Sequence, residues 1–299
     1  MKVRHSRIVR AFAGLLVVLV SAFCGAAETA DGIETRVQYG DYDIRIYQVD
    51  EFSESYLEIY QSGSLVHRQS GWRFWIGQSP EDLYLPEEQV PTLTIGEDIT
   101  NNGVPDLVVR EWTGGAHCCI YFHLFELGSE LRPLGPLGGG HDDGSHFADI
   151  TGNGAMEFLT HDWTFAYWRT DFASSPAPAV VLCYDGTAYA VADHLMRRPP
   201  PDAADLLEQG LAIQAALLEN PSLEWVAPFW AYLLELIYSG HASKAWALLE
   251  LAWPPLLPGK AEFTADFWEA LSYSPYRTGL NRLNDGSLAP PAISSRFRE

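Results

Sequence analysis

The sequence is short of positive charge. Its 299 residues carry 19 lysine and arginine side chains against 39 aspartate and glutamate side chains, a net charge of −20 at pH 7. A chain this acidic repels phosphate backbones, so the charge excludes nucleic acid as a partner. Diffuse negative charge favours solubility, whereas clustered carboxylates favour cation binding. The local spacing of the acidic residues therefore has to show whether the charge serves solubility or cation binding.

Cysteine is also scarce. Apart from Cys24 in the N-terminal apolar segment, the chain has only Cys118, Cys119 and Cys183. In an oxidising compartment these three permit one disulfide and leave one thiol. Spacing does not decide whether Cys183 pairs with one of the others or the two adjacent cysteines pair together. If the flanking segment is a strand, alternation places Cys118 on the same face as Ile120, and we expect that face to be buried.

Long apolar runs are confined to the N-terminus. A basic start precedes the apolar segment Ala11–Phe23 and a run of small residues. This pattern predicts a secretory signal peptide over residues 1–27, cleaved after Ala26 or Ala27, and hence a periplasmic or secreted protein of net charge −24. A lipid anchor on Cys24 is a second interpretation, which the bulky preceding residue disfavours. No later run reaches about 20 apolar residues, so we expect no membrane span after cleavage.

Recognisable catalytic signatures are missing too. The chain has no G-x-S-x-G, no phosphate-binding P-loop and no H-E-x-x-H. Serine, histidine and aspartate occur, but no spacing singles out a catalytic triad. These absences favour a binding role over an enzymatic one.

The chain does contain a sixteen-residue phrase that occurs twice. It reads DITNNGVPDLVVREWT over residues 98–113 and DITGNGAMEFLTHDWT over residues 149–164, with seven identical positions. Trp112 and Trp163 fall at the same place in the two copies. Equivalent core packing is one explanation for them, and an aromatic ligand platform is the other. The repetition predicts two structurally equivalent units.

The first nine positions of each copy, D-x-T-x-N-G-x-x-[DE], have the ligand spacing of a calcium loop. Side-chain oxygens at positions 1, 3 and 5 converge, glycine at 6 permits the turn, position 7 offers a carbonyl, and a carboxylate at 9 closes the shell. Hard oxygen donors suit calcium. The predicted ligands are Asp98, Thr100, Asn102, the Val104 carbonyl and Asp106 in the first loop, and Asp149, Thr151, Asn153, the Ala155 carbonyl and Glu157 in the second.

These units differ from an EF-hand, because position 12 is Val109 or Thr160 instead of glutamate and strand-like sequence follows. They resemble the FG-GAP or VCBS repeat, a calcium loop followed by a strand in integrin-like β-propellers. That family usually has aspartate at positions 3 and 5, so threonine and asparagine here imply weak binding, on the order of 10⁻⁴ to 10⁻³ M. An ion-free loop held by side-chain hydrogen bonds is the alternative.

A second resemblance involves the segment Gly114–Cys119, which reads GGAHCC. It is similar to a stretch in bacterial secreted proteins that carry VCBS-like repeats and have no settled function. The resemblance implies a related secreted protein but supplies no active site.

The rest of the chain predicts a segregated α+β fold. Short alternating segments between residues 33 and 76 read as a β-meander, and residues 133–145 read as a long glycine-rich loop. Two repeats cannot close a propeller. We therefore expect an all-β domain over residues 28–196, either a partial propeller or a sandwich, with further strands at 107–109, 116–127, 158–159, 180–184 and 188–192.

Helical sequence follows a proline-rich break. Asp202 is placed to cap a helix in which Leu207, Leu211, Ala215 and Leu218 recur at helical spacing, predicting a buried stripe. The helical hairpin domain extends over residues 202–284, one helix of it starting at Asn220-Pro221 and carrying Trp225, and residues 285–299 read as a flexible tail. One helical pair has the small-residue spacing of a tetratricopeptide turn. An ordinary αα-hairpin is the alternative, since such repeats need about three copies.

Histidine and aspartate residues cluster around the repeats. His117, Cys119 and His123 share one face of the predicted strand and have the side-chain donors that bind zinc or copper. His141, Asp142 and Asp143 have the side chains of metal ligands or a general base in hydrolysis. The simpler explanation for His141, Asp142 and Asp143 is that they form a turn. The further members of the cluster are His146, His161 and Asp162.

We therefore predict a non-enzymatic binding or assembly module of the cell envelope, stabilised by calcium, with a protein or glycan partner. A metal-dependent hydrolase that uses the His/Asp cluster around residues 117–162 is the alternative. Neither a catalytic residue nor an organic cofactor is assigned.

Overall fold

The computed structural model describes residues 32–48, 54–83, 90–115, 118–141, 144–220 and 229–291, and each structural statement below refers to these residues. The predicted signal peptide lies outside them. So do His117, Asp142, Asp143 and Trp225.

Twelve strands form three four-stranded antiparallel sheets, in which sequential strands are neighbours. The first sheet holds β1 (Ile33–Tyr39), β2 (Tyr42–Tyr47), β3 (Ser55–Gln61) and β4 (Ser64–Gly71). The second holds β5 (Arg73–Ile76), β6 (Asp106–Trp112), β7 (Ile120–Leu127) and β8 (Leu131–Gly140). The third holds β9 (His146–Ala148), β10 (Glu157–His161), β11 (Ala179–Tyr184) and β12 (Tyr189–Val191).

The second sheet is buried on both faces. Along β6, Leu107 and Val109 belong to a core that includes Ile44 of the first sheet, whereas Val108 belongs to a core that includes Phe147 of the third sheet. Successive side chains of a strand point to opposite faces, so the second sheet lies between the other two. Aromatic rings fill the second interface, where the Phe122 ring centroid lies 5.8 Å from that of Phe147.

Seven helices accompany the sheets in the described residues. The short α1 (Pro80–Leu83) follows β5. Six more lie toward the C-terminus: α2 (Asp193–Met196), α3 (Ala203–Glu219), α4 (Ala231–Tyr238), α5 (Ala242–Ala252), α6 (Lys260–Ser272) and α7 (Arg277–Leu283). This confirms the predicted α+β class, and the three sheets do not close into a propeller within the described residues. Among the described residues, no helix is long and apolar enough to cross a bilayer.

The helices share one core with the third sheet. Trp230, Phe263 and Phe267 are fully buried, and Phe165, which follows β10, packs with its ring centroid 4.9 Å from that of Phe267. The described residues from Ile33 onward belong to one compact unit. At the start of the predicted tail, Leu288 is buried and its carbonyl accepts a hydrogen bond from the Trp246 indole at 3.0 Å.

The predicted glycine-rich loop over residues 133–145 is wrong in its first half, because β8 continues to Gly140. β8 is the edge strand of its sheet and is bonded only to β7. At an edge, a proline that donates no hydrogen bond is tolerated, so Pro133 and Pro136 fit. A register shift opposite Phe125 and a positive φ of 90° at Gly135 mark a bulge between them.

The helix capped by Asp202 is confirmed, since its carboxylate accepts the backbone N–H groups of Ala204 and Asp205 at 2.8 and 2.9 Å. Its predicted buried stripe is wrong. Leu207, Leu211 and Leu218 are 64%, 58% and 62% exposed, and Ala215 is also exposed. The buried face instead carries Ile213 and Leu217.

Candidate functional site

The two phrases fold into equivalent loops that precede β6 and β10. In the first loop, Asp98 accepts the N–H groups of Asn102 and Gly103 at 3.1 and 2.7 Å. In the second, Asp149 accepts those of Asn153 and Gly154 at 3.1 and 2.9 Å. Both glycines have a positive φ, 87° and 88°, a conformation that favours glycine. The sequence repeat is therefore a structural repeat.

Three of the five ligands predicted for the first loop converge on one point. The hydroxyl oxygen of Thr100 lies 3.3 Å from Asp98 Oδ1 and 3.2 Å from Asp106 Oδ2. The Thr100 backbone N–H also donates to Asp106 Oδ2 at 3.1 Å. Position 1 and position 9 of the loop thus lie on either side of the same hydroxyl.

Asn102 at position 5 is held from two sides. Its side-chain oxygen accepts the N–H of Val104 at 2.8 Å, and its amide donates to Glu126 at 2.5 Å. Glu126 forms an ion pair with Arg132, which also donates to the Tyr184 hydroxyl at 2.8 Å. This ion pair holds the pKa of Glu126 below its usual value, so the carboxylate stays charged. Nothing in the repeat pointed to Glu126, because its position on β7 becomes relevant only through strand pairing.

The second loop ends on a buried carboxylate as well. Glu157 is 2% exposed, accepts the N–H of Ile150 at 3.0 Å, and lies 3.4 Å from the Thr151 hydroxyl. The Cys183 thiol lies 3.8 Å from the same carboxylate. Burial, and then the negative charge of Glu157, raise the pKa of Cys183 to about 11, which keeps the thiol protonated at neutral pH.

The two loops touch each other. The N–H of Met156 donates to the Ile99 carbonyl at 2.8 Å, and the Asn101 side chain donates to the Asn153 carbonyl at 3.1 Å. These two hydrogen bonds hold the loops side by side.

Asp106 differs from the other predicted ligands. It is 2% exposed, and its Oδ1 atom has no hydrogen-bond partner among the described residues, although Oδ2 has two. Burial, above all, raises the pKa of Asp106 to about 7, with the negative charges of Asp98 and Glu126 adding to it. A buried carboxylate oxygen without a donor is unfavourable unless a proton or a cation meets it. The oxygen donors that converge here, two carboxylates and a hydroxyl, are of the type that calcium binds.

The adjacent cysteines form the disulfide, Cys118–Cys119, and Cys183 remains a thiol. The expectation that Cys118 faces a core is wrong: it is exposed, because β7 begins only at Ile120. One imidazole nitrogen of His141 and the two sulfur atoms all lie within 4.8 Å of one another. Sequence spacing could not show this proximity, because it depends on the pairing of β7 with β8.

The other members of the His/Asp cluster have separate surroundings. On β7, His123 Nε2 lies 2.6 Å from Glu111, a carboxylate buried between the first two sheets. At the start of β9, His146 Nδ1 lies 2.7 Å from the Gly144 carbonyl. Cys118, Cys119 and His141 form the one group of three metal-ligating side chains found where the structure describes the chain.

Asp162 is buried but fully engaged. One oxygen accepts both the N–H and the hydroxyl of Thr164, at 2.9 and 2.5 Å, and the other accepts the hydroxyls of Tyr238 and Ser274, at 2.6 and 2.5 Å. Since four donors surround it, this carboxylate is suited to joining the third sheet to the helices. It is poorly suited to acting as a general base.

Two concave surfaces lie beside these elements. A cavity of about 650 Å³ is lined by Cys119, His141, Trp163 and Tyr276, among others. Trp163 stacks on Phe172 with a centroid distance of 5.2 Å, whereas Trp112 meets Trp72 edge-on at 6.5 Å. The two repeat tryptophans are therefore packed differently.

A second, open groove of about 810 Å³ lies between the segment after β10 and α6. Tyr167 and Tyr273, which line it, are 56% and 72% exposed. Arg169 forms an ion pair with Asp266 within the groove. Exposed aromatic rings beside hydrogen-bonding groups are typical of recognition surfaces.

Comparisons of the chain with protein-family models, curated proteins and solved structures find no match.

Proposed function

We propose that this protein is a non-enzymatic binding or assembly module of the cell envelope, periplasmic or secreted, stiffened by calcium in the two repeat loops. The observation that carries the proposal is Asp106: its buried Oδ1 atom lacks a donor, while its Oδ2 atom shares the Thr100 hydroxyl with Asp98. Calcium at this point supplies the missing partner and offsets the charge of two carboxylates.

The second loop supports the same interpretation. It repeats the ligand pattern and the backbone hydrogen bonds of the first loop, and Glu157 occupies the position of Asp106. The three face-to-face meander sheets suit a partial, propeller-like arrangement of FG-GAP or VCBS type. Two ions in contacting loops would stiffen the junction of the second and third sheets.

The recognition surface in this proposal is the open groove with Tyr167 and Tyr273. Its exposed rings offer flat apolar faces, and Arg169 and Asp266 offer hydrogen bonds to a protein or glycan partner. Asp162 favours this role over the hydrolase alternative, because all of its oxygens already accept protein donors.

Thermal unfolding with and without calcium tests the stabilising role. At a dissociation constant near 10⁻⁴ M, 10 mM calcium adds about 2.7 kcal/mol, and an unfolding midpoint raised by about 5–10 °C is expected. An unchanged midpoint would count against calcium.

Affinity capture from envelope extract tests the binding role. The immobilised mature protein should retain a partner in calcium that is released by a chelator, and the variant Tyr167→Ala with Tyr273→Ala should retain less. Equal capture by this variant would show that the partner binds outside this groove. Turnover of phosphoester or glycoside substrates that is lost in His141→Ala would favour the hydrolase.

A further inference from the structure

Outside the calcium loops, two sulfur atoms and an imidazole meet at the open end of the β7–β8 ladder. The last pair of that ladder joins Ile120 to Gly140. Cys119 immediately precedes the first strand and His141 immediately follows the second, so they are cross-strand neighbours. The ligand atoms of Cys118, Cys119 and His141 lie within 4.8 Å of one another.

Neighbouring groups fix both sides of this cluster. On the cysteine side, Thr113 accepts the Cys119 N–H on its hydroxyl at 2.8 Å and donates its own N–H to the Cys119 carbonyl at 3.0 Å. On the histidine side, the His141 ring packs against Trp163 and Phe172, each at a centroid distance of 5.4 Å. Gly140 allows this packing, because a Cβ there would lie 2.5 Å from the Trp163 ring.

We propose that the reduced chain binds one thiophilic cation of the Cu(I) class through the sulfur atoms of Cys118 and Cys119 and one nitrogen of His141. Two thiolates and an imidazole form a soft donor set, and such sets select Cu(I) over hard cations. The calcium loops offer only oxygen donors, so the two kinds of site take different ions.

The redox state of the cysteines decides whether this site exists. A dithiol reductant transfers two electrons and two protons to the Cys118–Cys119 bond, becoming a disulfide itself and leaving two protein thiols. The cation then displaces both thiol protons as it binds the thiolates. In the oxidised chain the sulfur atoms are bonded to each other, and the site is closed to the ion.

Competition with a chromogenic Cu(I) chelator tests the proposal on the purified mature chain, reduced with a phosphine under anaerobic conditions. We expect one Cu(I) per reduced chain and none per oxidised chain. Binding should weaken at least tenfold in His141→Ala and be lost in the double variant Cys118→Ser with Cys119→Ser. Cys183→Ser is the matched control and should bind like the unaltered chain, because Cys183 lies beside Glu157 instead.

Several results would overturn the proposal: no binding by the reduced chain, equal binding by the oxidised chain, or loss of binding in Cys183→Ser. Near-ultraviolet circular dichroism shows whether the double serine variant folds. If it does not fold, two measurements still test the proposed Cu(I) site: the comparison of the oxidised with the reduced unaltered chain, and binding by the His141→Ala variant.

Discussion

At the scale of single residues, the carboxylates of the repeat loops differ in how far the protein satisfies them. Asp149 is exposed, and three backbone N–H groups lower its pKa. Asp106 is buried and has a pKa of about 7. The two loops therefore contain an exposed carboxylate at position 1 that already accepts backbone donors and a buried carboxylate at position 9 with one oxygen that lacks a donor.

Asp106→Asn should change the pH dependence of stability in calcium-free buffer. The folded-state pKa of about 7 exceeds the reference value of 3.8, so Asp106 costs nothing below about pH 4 and destabilises increasingly as the pH rises to 7. The full cost is up to about 4 kcal/mol, at about 1.4 kcal/mol for each unit by which the folded-state pKa exceeds the reference value. The free energy of unfolding, measured with urea from pH 4 to pH 8, should increase for the Asp106→Asn variant relative to the unaltered chain as the pH rises.

Asp41→Asn is the matched control, since Asp41 lies in an exposed turn. It measures the effect of replacing aspartate by asparagine at an exposed position. Calcium at 10 mM should narrow the difference at pH 8, because it stabilises the unaltered chain through both loops and the Asp106→Asn variant through the second loop alone. Parallel pH slopes for all three proteins would show that Asp106 is not the ionising group described here.

At the scale of elements, sequence patterns predicted strands well and exposed faces poorly. The meander over residues 33–76 and the hairpin of β11 and β12 agree with the prediction, since alternation and turn residues act locally. The sequence of β8 predicts a loop, because its prolines and glycines are tolerated in a strand only at the sheet edge. That position is set by pairing with β7, which local sequence does not encode.

Helix α3 shows the same limit. Its cap at Asp202 was predictable because capping involves adjacent residues. Which of its two apolar stripes is buried depends on the neighbouring helices, and the choice of Leu207 and Leu211 was wrong. The approach of His141 to the cysteines is another product of strand pairing that spacing alone cannot supply.

Two leucines of α3 provide a matched test of this orientation. Leu217 is fully buried and Leu211 is 58% exposed, although both are leucines on one helix. Leu217→Ala should lower the free energy of unfolding by about 2–5 kcal/mol, because it removes buried apolar volume. Leu211→Ala should change it by less than about 0.5 kcal/mol. Urea unfolding checks both, and similar losses would place the two side chains in similar surroundings.

At the scale of the whole molecule, two cores are arranged around the second sheet. One joins it to the first sheet, and the other extends through the third sheet into the helices. Asp162 links the last two layers, since it follows β10 and accepts hydroxyls from Tyr238 in α4 and from Ser274. The two repeat loops lie at the junction of the second and third sheets, so the proposed ions would stiffen the centre of the fold.

Asp162→Ala should destabilise the fold by about 3–5 kcal/mol, because it leaves several buried donors without an acceptor. Tyr238→Phe should cost only about 1–2 kcal/mol, since it removes one hydrogen bond and keeps the ring. Urea unfolding monitored by tryptophan fluorescence measures both. A neutral effect of Asp162→Ala would contradict its role as the link between sheet and helices.

Calcium titration calorimetry of residues 28–299, repeated in two buffers of different ionisation enthalpy, tests the central claim most directly. We predict saturable binding with a dissociation constant on the order of 10⁻⁴ to 10⁻³ M. At pH 7 about half a proton should be released from Asp106 per ion bound in the first loop, falling to none at pH 9, because its pKa is about 7. The absence of saturable heat at millimolar calcium would contradict the account.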